Sequence, residues 1–308
     1  MINSAYLNII RPKNLVIVAL CQVVLYYFVI QKYLVQPALD IIMFSLLVLD
    51  TVIIAAAGYV INDIKDYDSD KVNKPNSTFI PQQIRPKKAW LYYWVLVVAG
   101  AVIALFIAIS IHNFSLFFIY PLAVVLLYSY SVYFKSSVLT GNVIVSLFVS
   151  LVAGIVFFAE RQTIVSAPSV IKYFLIEILS VYMIFSFMIN MIREIIKDIE
   201  DVSGDNLYGI RTIATVVGIS KSKQIALAFT IMTMVIVVLW LMLSPIHFDF
   251  RFVVFIILFI VLPLLLVAQI ILKHSEKRNF TKISKILKTI MLVGLLSLVF
   301  LTNSTQIL

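Results

Sequence analysis

Cysteine and charge are scarce in this sequence. Its 308 residues include one cysteine, Cys21, so the chain cannot form an intrachain disulfide, and no redox or metal site built on cysteines is expected. Only 13% of the residues are charged, whereas 62% are hydrophobic. Soluble globular domains are roughly 45–50% apolar. The composition therefore excludes an ordinary soluble domain and indicates a membrane protein.

Apolar stretches long enough to cross a bilayer recur along the whole chain. A hydrocarbon core about 30 Å thick is crossed by roughly 17–25 helical residues. Nine stretches of this kind lie near residues 14–34, 38–62, 89–111, 114–134, 138–159, 171–193, 223–244, 250–272 and 285–304. The sequence predicts an all-α polytopic membrane protein with nine transmembrane helices, and residues 1–308 are expected to form a single transmembrane domain.

Basic residues are distributed unevenly between the connections that join these spans. Of the 24 Lys and Arg residues, 20 lie on one set of alternating connections, and only Lys32, Arg161, Lys172 and Arg251 lie on the other. By the positive-inside rule, the N-terminus and the basic connections face the cytoplasm, and nine spans place the C-terminus outside. We expect an integral protein of the cell (plasma) membrane whose functional site faces the cytoplasm. The net charge of +9 fits this topology and contact with anionic membrane lipids, so no nucleic-acid partner is expected.

Two acidic clusters follow the second and sixth spans and share one spacing. Residues 62–70 read NDxxDxxxD and residues 198–205 read DxxDxxxD. Each aspartate of the first triad recurs 135 residues later in the second, because Asp63, Asp66 and Asp70 are followed by Asp198, Asp201 and Asp205. Four spans separate the clusters, so the two copies have the same orientation. The spacing predicts a parallel four-helix internal repeat with halves at about 1–137 and 138–272 and an extra helix at about 285–304.

The spacing of the aspartates favours a metal site. Positions i, i+3 and i+7 lie on one face of a helix, so each triad would present a stripe of carboxylates. Such stripes repel each other's charge, and the C-terminal end of a helix disfavours anions. Mg²⁺ resolves this conflict, because it prefers oxygen ligands and is commonly held by one or two carboxylates plus substrate phosphates. The alternative is that the aspartates cap short helices or turns in solvated loops.

Basic side chains stand close to the acidic clusters in the sequence. Arg193 and Lys197 precede Asp198, Lys135 follows the fourth span, and Arg211 follows Asp205. Cations in such positions would stabilise a departing diphosphate, which gains negative charge as it leaves. The alternative for a lone cation is an anchor at the level of the lipid headgroups.

These motifs resemble those of the UbiA superfamily of intramembrane prenyltransferases. The resemblance extends over nearly the whole chain and includes Arg11-Pro12, the stretch Val72-Asn73-Lys74-Pro75, Tyr128-Ser129 through Lys135, and Gly141-Asn142. It implies a helical bundle around a large central cavity that opens to lipid, with Mg²⁺ bound through both motifs. Residues 193–205 look most like the members that add the second geranylgeranyl chain to geranylgeranylglyceryl phosphate in ether-lipid synthesis.

The resemblance implies a function and a set of site residues. The expected reaction is Mg²⁺-dependent transfer of a prenyl group from geranylgeranyl diphosphate to a lipid-like acceptor, geranylgeranylglyceryl phosphate. The expected metal ligands are Asn62, Asp63, Asp66, Asp70, Asp198, Asp201 and Asp205. The residues expected to carry catalysis are Asp66, Asp70, Asp198, Asp201, Lys135, Arg193 and Lys197. Substrates are expected to contact Asn62, Lys135, Arg193, Lys197, Arg11, Lys74 and Arg211.

Two other functions remain open from the sequence. An aromatic prenyltransferase of quinone-type biosynthesis would share the donor chemistry and differ in the acceptor. A cation transporter would also use repeated acidic motifs, but transporter sites tend to lie near the middle of the membrane. The acidic motifs here lie at the ends of spans and are interleaved with Arg193 and Lys197, which would oppose passage of a bare cation.

Overall fold

The computed structural model describes residues 4–67, 79–80 and 82–304. This part of the chain is helical and contains no strands. Nine of its helices are long and apolar enough to cross a membrane. They are α1 (Pro12–Tyr33), α2 (Ile41–Lys65), α3 (Pro86–Ser110), α4 (Phe114–Val132), α5 (Thr140–Ser166), α6 (Ser169–Leu207), α7 (Ile213–Leu243), α8 (Phe250–Lys273) and α9 (Lys277–Ser304). The prediction of an all-α protein with nine spans is confirmed.

Several helices continue beyond the apolar stretches that predicted them. The sixth apolar stretch was expected to end near residue 193, but α6 is helical to Leu207. The second acidic motif therefore lies on a helix. Ile195, Ile196 and Ile199 are buried, so the packed face of α6 extends past the point where its other faces become polar. In the same way, α7 starts at Ile213 rather than near residue 223, and it bends at Gly218.

The helices form two groups that α1 connects. In one group, α2 packs against α3 and α4, and in the other, α6 packs against α5, α7 and α9. Helix α1 contacts α2, α5 and α9. The acidic motifs come at the C-terminal ends of α2 and α6. Because four spans separate these two points, both motifs lie at the same end of the bundle, which we call the motif end.

A buried carboxylate fixes the connection between α1 and α2 at the opposite end. Glu160 on α5 is fully buried and accepts hydrogen bonds from the backbone N–H groups of Ala38 (2.7 Å) and Leu39 (2.9 Å). Both oxygens of this carboxylate are used, one by each N–H group. Such bonds satisfy backbone donors that would otherwise be buried without partners.

Replacing Glu160 with glutamine is expected to destabilise the protein by about 2 kcal/mol. The amide keeps one acceptor oxygen but turns an NH₂ group toward a backbone N–H donor. Thermal unfolding in detergent should therefore occur at a lower temperature for Glu160→Gln. Glu276→Gln, at an exposed position before α9, is the matched control and should unfold at the same temperature as the wild type. Equal melting temperatures for Glu160→Gln and the wild type would contradict this role.

Candidate active site

The first acidic motif lies where α2 ends and is joined there to the segment after α4. Helix α2 ends at Lys65, and the N–H of Asp66 donates to the carbonyl oxygen of Asn62 (2.8 Å). The Asp66 carboxylate is buried and accepts from the Asn62 amide and from the Lys135 ammonium. Lys135 stands on the single 3₁₀ turn Phe134–Ser136 that follows α4. Three side chains predicted for the site are thus in direct contact.

Arg11 is also tied to this motif. Its guanidinium donates to Asp63 (2.6 Å) and lies 4.9 Å from the centre of the Tyr59 ring. Its backbone is left-handed, with φ of 53°, a conformation that is uncommon for residues other than glycine. Strained backbone of this kind clusters at functional sites. Arg11, predicted to contact substrate, therefore sits beside a predicted metal ligand.

The second acidic motif lies on the last turns of α6. Asp198 accepts a hydrogen bond from the amide of Asn142 on α5 (2.8 Å), and Asn142 is itself buried. Asp205 is buried and Asp201 is half-buried. Because these three aspartates are at positions i, i+3 and i+7 of one continuous helix, they share one side of it.

Glu194 holds the two cations of α6. Its Oε1 atom accepts from Arg193 Nη1 (3.0 Å) and from Lys197 Nζ (2.8 Å). One carboxylate therefore orients both basic side chains. The trio keeps a net positive charge of one, because two cations share a single anion.

The side chains of the two motifs occupy one region. The Tyr130 hydroxyl on α4 interacts electrostatically with Glu194 and Asp198 of α6 and with Asp66. Lys135 likewise acts on Glu194. Charged side chains at the end of α2, after α4 and on α6 therefore lie close to one another.

The remaining predicted site residues are placed less centrally. Arg211 is exposed in the connection between α6 and α7. Asp70 and Lys74 lie outside the described residues.

The donor atoms fit a hard cation that is shared with a phosphate. Among the described residues, no three carboxylate, histidine or cysteine side chains form a complete metal cluster by themselves. Asp66 and Asp198 instead each supply a carboxylate that a hydrogen bond from an asparagine amide orients. Mg²⁺ is commonly bound by one or two carboxylates, with substrate phosphates and water completing its shell. The residues present fit Mg²⁺ on this basis.

Sequence reasoning missed three members of the site. Glu194 was given no role, although its spacing of three residues from Lys197 is that of a helical ion pair. Asn142 belongs to a stretch that carried the resemblance, but nothing in the sequence pairs it with Asp198, 56 residues away. Tyr130 lies in the stretch from Tyr128 to Lys135 that carried the resemblance, but nothing in the sequence pairs it with α6.

Known proteins resemble the chain over almost its full length. A model of the UbiA prenyltransferase family matches residues 15–295. The digeranylgeranylglyceryl phosphate synthase of Saccharolobus solfataricus is 31% identical over 293 residues, which cover 92% of this chain and 93% of that protein. The synthase of the same name from Sulfurisphaera tokodaii is 30% identical over 289 residues, covering 91% and 93%.

Solved structures share the fold. One, from work on digeranylgeranylglyceryl phosphate synthase in membranes, has a TM-score of 0.68 at 24% identity and covers 97% of this chain and 98% of its own. A UbiA homologue from Archaeoglobus fulgidus, bound to GPP and Mg²⁺, has a TM-score of 0.57 at 20% identity and covers 96% and 99%. The resemblance inferred from the two aspartate motifs is confirmed. Because the family model spans most of the chain and two relatives are at least 30% identical over nearly all of it, the protein belongs to the UbiA prenyltransferase family.

Proposed function

We propose that this prenyltransferase moves a geranylgeranyl group from its diphosphate to geranylgeranylglyceryl phosphate. The observation that carries the donor half is the meeting of both aspartate motifs with Lys135 and Lys197 at one end of the bundle. The acceptor half is supported by relatives named digeranylgeranylglyceryl phosphate synthase at about 30% identity.

The proposed donor site lies between the ends of α2 and α6. Asn62, Asp63, Asp66, Asp198, Asp201 and Asp205, with Asp70, would hold Mg²⁺. When bound, Mg²⁺ would offset the charge of the diphosphate. The ammonium groups of Lys135 and Lys197 are held by carboxylates at this place, where they can contact the same diphosphate. Preorganised cations of this kind stabilise charge as it develops on a leaving group.

The proposed reaction exchanges one bond for another. The bond between the first prenyl carbon and the diphosphate oxygen breaks, and the diphosphate leaves with the electron pair. The acceptor hydroxyl oxygen then bonds to that carbon, and its proton passes to the diphosphate or to a motif carboxylate. The lysines at the site also weigh against cation transport, because they would repel a bare cation.

We further propose the orientation and the repeat. The motif end lies on the cytoplasmic side of the cell membrane, because the basic connections lie at that end. The N-terminus is then inside and the C-terminus outside. Helices α1–α4 and α5–α8 form the two halves of a parallel repeat, and α9 is the added helix. Helix order supports this proposal, since α2 with α3 and α6 with α7 form corresponding packed pairs.

A product assay tests the acceptor. The purified protein in nanodiscs would receive radiolabelled geranylgeranyl diphosphate and Mg²⁺, with geranylgeranylglyceryl phosphate or 4-hydroxybenzoate in separate reactions. Magnesium-dependent label in the glycerol lipid is the expected result. Label in the aromatic acid alone would keep the donor chemistry and overturn the proposed acceptor.

Gly141 sets the position of Lys135. A Cβ atom at Gly141 would lie 2.8 Å from the Phe134 carbonyl oxygen and 3.4 Å from the Lys135 Cα, both of which are backbone atoms. Gly141→Ala must therefore displace the turn that carries Lys135. A shift of about 1 Å at a catalytic group can reduce a rate by about 10²-fold.

We accordingly expect Gly141→Ala to reduce the transfer rate by about tenfold to 10²-fold. Initial rates at saturating substrates would measure this. Gly209→Ala is the matched control, since no atom lies within 4 Å of a Cβ there, although its φ of 64° will cost some stability. A Gly141→Ala enzyme as fast as the wild type would contradict the positioning role.

A further inference from the structure

A cavity of about 160 Å³ lies among α1, α2, α5, α6 and α9. Its lining is charged at the motif end, with Arg193 and Lys288, and mostly apolar farther in, with Leu25 and Leu295, although Ser186 and Asn190 also line it. Asn14 and Leu25 are 11 residues apart on α1, which corresponds to roughly 16 Å along a helix. We call the end lined by Asn14, Arg193 and Lys288 the head of the cavity. A basic head beside an apolar interior suits a lipid with an anionic headgroup.

The head of the cavity carries positive charge with little compensation. Lys288 donates a hydrogen bond to the Asn14 side-chain oxygen (2.8 Å), and no carboxylate of the described residues lies within salt-bridge distance of its ammonium. The charges that act on it, Arg193 and Lys13, are both positive. Cations gathered beside an apolar cavity repel one another and lose hydration, so an anion bound between them would be strongly favoured.

Arg193 offers an unused donor at the same place. Its Nη1 group pairs with Glu194, but its Nε is buried and has no hydrogen-bond partner among the described residues. Buried donors without a partner are rare and costly. A bound oxyanion would satisfy this atom while the pair with Glu194 is kept.

The anion expected here differs from the donor diphosphate. The donor site holds the aspartates that would share Mg²⁺ with a diphosphate, whereas Asn14, Arg193 and Lys288 provide only donors and an amide. A phosphate monoester needs no metal when lysine and arginine surround it. Arg193 is four residues from Lys197 and five from Asp198 on α6, so the two anion sites would be neighbours.

We propose that the head of this cavity binds the phosphate of the lipid acceptor, through Lys288 and Arg193, while the apolar part takes the beginning of its isoprenoid chain. The proposal rests on the proposed function and adds the site of its acceptor. In geranylgeranylglyceryl phosphate, the free hydroxyl is on the carbon next to the one that bears the phosphate. A phosphate held beside Arg193 would therefore present that hydroxyl toward the donor site.

The volume of the cavity limits how much of the lipid it can enclose. Pockets that enclose a drug-sized ligand measure roughly 300–1,000 Å³. The cavity is smaller than this, at about 160 Å³. It would hold the headgroup and the first part of the chain, and the rest of the chain would remain among lipids.

Equilibrium binding without Mg²⁺ or donor tests the site. Three ligands would be compared on protein in nanodiscs: geranylgeranylglyceryl phosphate, its dephosphorylated glycerol ether, and glycerol phosphate. We expect Lys288→Gln to weaken binding of the phosphorylated lipid about tenfold, because a hydrogen bond from a charged donor to the phosphate is lost. Binding of the neutral ether should not change, which also shows that the variant is folded. Lys288→Arg should retain the preference for phosphate.

Exposed Lys285 on the same helix provides the matched control, and Lys285→Gln should bind all three ligands as the wild type does. In steady-state assays, Lys288→Gln should raise the acceptor KM about tenfold and leave the donor KM within twofold. Unchanged affinity for the phosphorylated lipid, or a raised donor KM instead, would overturn the proposal. Equal binding of glycerol phosphate and the full lipid would overturn the lipid assignment.

The kinetic assays separate this proposal from the proposed function. A wild-type enzyme that prenylates geranylgeranylglyceryl phosphate, with an unaltered acceptor KM in Lys288→Gln, leaves the function standing and removes this site. A wild-type enzyme that prenylates only 4-hydroxybenzoate removes both.

Discussion

Replacing Asp66 or Asp198 with asparagine is expected to reduce prenyl transfer by about 10²–10³-fold. Asparagine keeps the shape of each side chain and an oxygen that can accept from Asn62 or Asn142, so the local hydrogen bonds survive. What is lost is the negative charge that Mg²⁺ requires. Asp66 follows the last residue of α2, and Asp198 lies on α6. An equal loss of rate in both variants would therefore indicate that the two motifs act together.

Initial rates over a range of Mg²⁺ concentrations would measure this effect. Asp249→Asn, at the N-terminal cap of α8 at the opposite end of the bundle, is the matched control and should transfer prenyl groups at the wild-type rate. If either Asp66→Asn or Asp198→Asn retained more than half of the wild-type rate, its carboxylate would have no part in the donor site.

Replacing Lys135 with methionine is expected to lower kcat by about 10²-fold, the usual loss when one preorganised charge-stabilising group is removed. Methionine approximates the length of the side chain without its charge. The Mg²⁺ concentration for half-maximal rate should not rise, because Lys135 pairs with Asp66 and its loss removes a competitor for that carboxylate. This combination distinguishes a group that stabilises the leaving diphosphate from one that organises the metal.

Rates for Lys135→Met at saturating donor, acceptor and Mg²⁺ would test this expectation. Lys172→Met, near the start of α6 at the opposite end, is the matched control and should behave as the wild type. A kcat within twofold of the wild type, or a loss that excess Mg²⁺ fully restores, would show that Lys135 does not stabilise the leaving group.

The number and order of the membrane-spanning helices could be predicted, because the lengths of the apolar stretches determine them. Bilayer thickness requires about 20 apolar residues per span, and each of the nine stretches became a helix in the described chain. The ends of the helices were less predictable. Residues 194–207 lie beyond the sixth apolar stretch, yet they continue α6 because buried isoleucines recur there at helical spacing. Hydropathy reports where the membrane ends, whereas packing decides where a helix ends.

Members of the candidate site could be predicted where the sequence repeats the spacing of its aspartates. The constant spacing of Asp63, Asp66, Asp198 and Asp201 indicated that two segments work together, and electrostatic contacts through Tyr130 place those segments in one region. Contacts between residues of different type that lie far apart in the sequence could not be predicted, because no repeated pattern links them. The pair of Lys288 and Asn14 spans 274 residues, and nothing in the sequence connects the two positions.

The most direct test is the structure of the protein with Mg²⁺ and a non-cleavable thio analogue of geranylgeranyl diphosphate, determined by electron cryomicroscopy in nanodiscs. We expect the diphosphate to lie between Asp66 and Asp198, with the metal contacting carboxylates of both motifs and with Lys135 in contact with a phosphate oxygen. A diphosphate bound by only one motif, or bound away from both, would contradict a shared donor site.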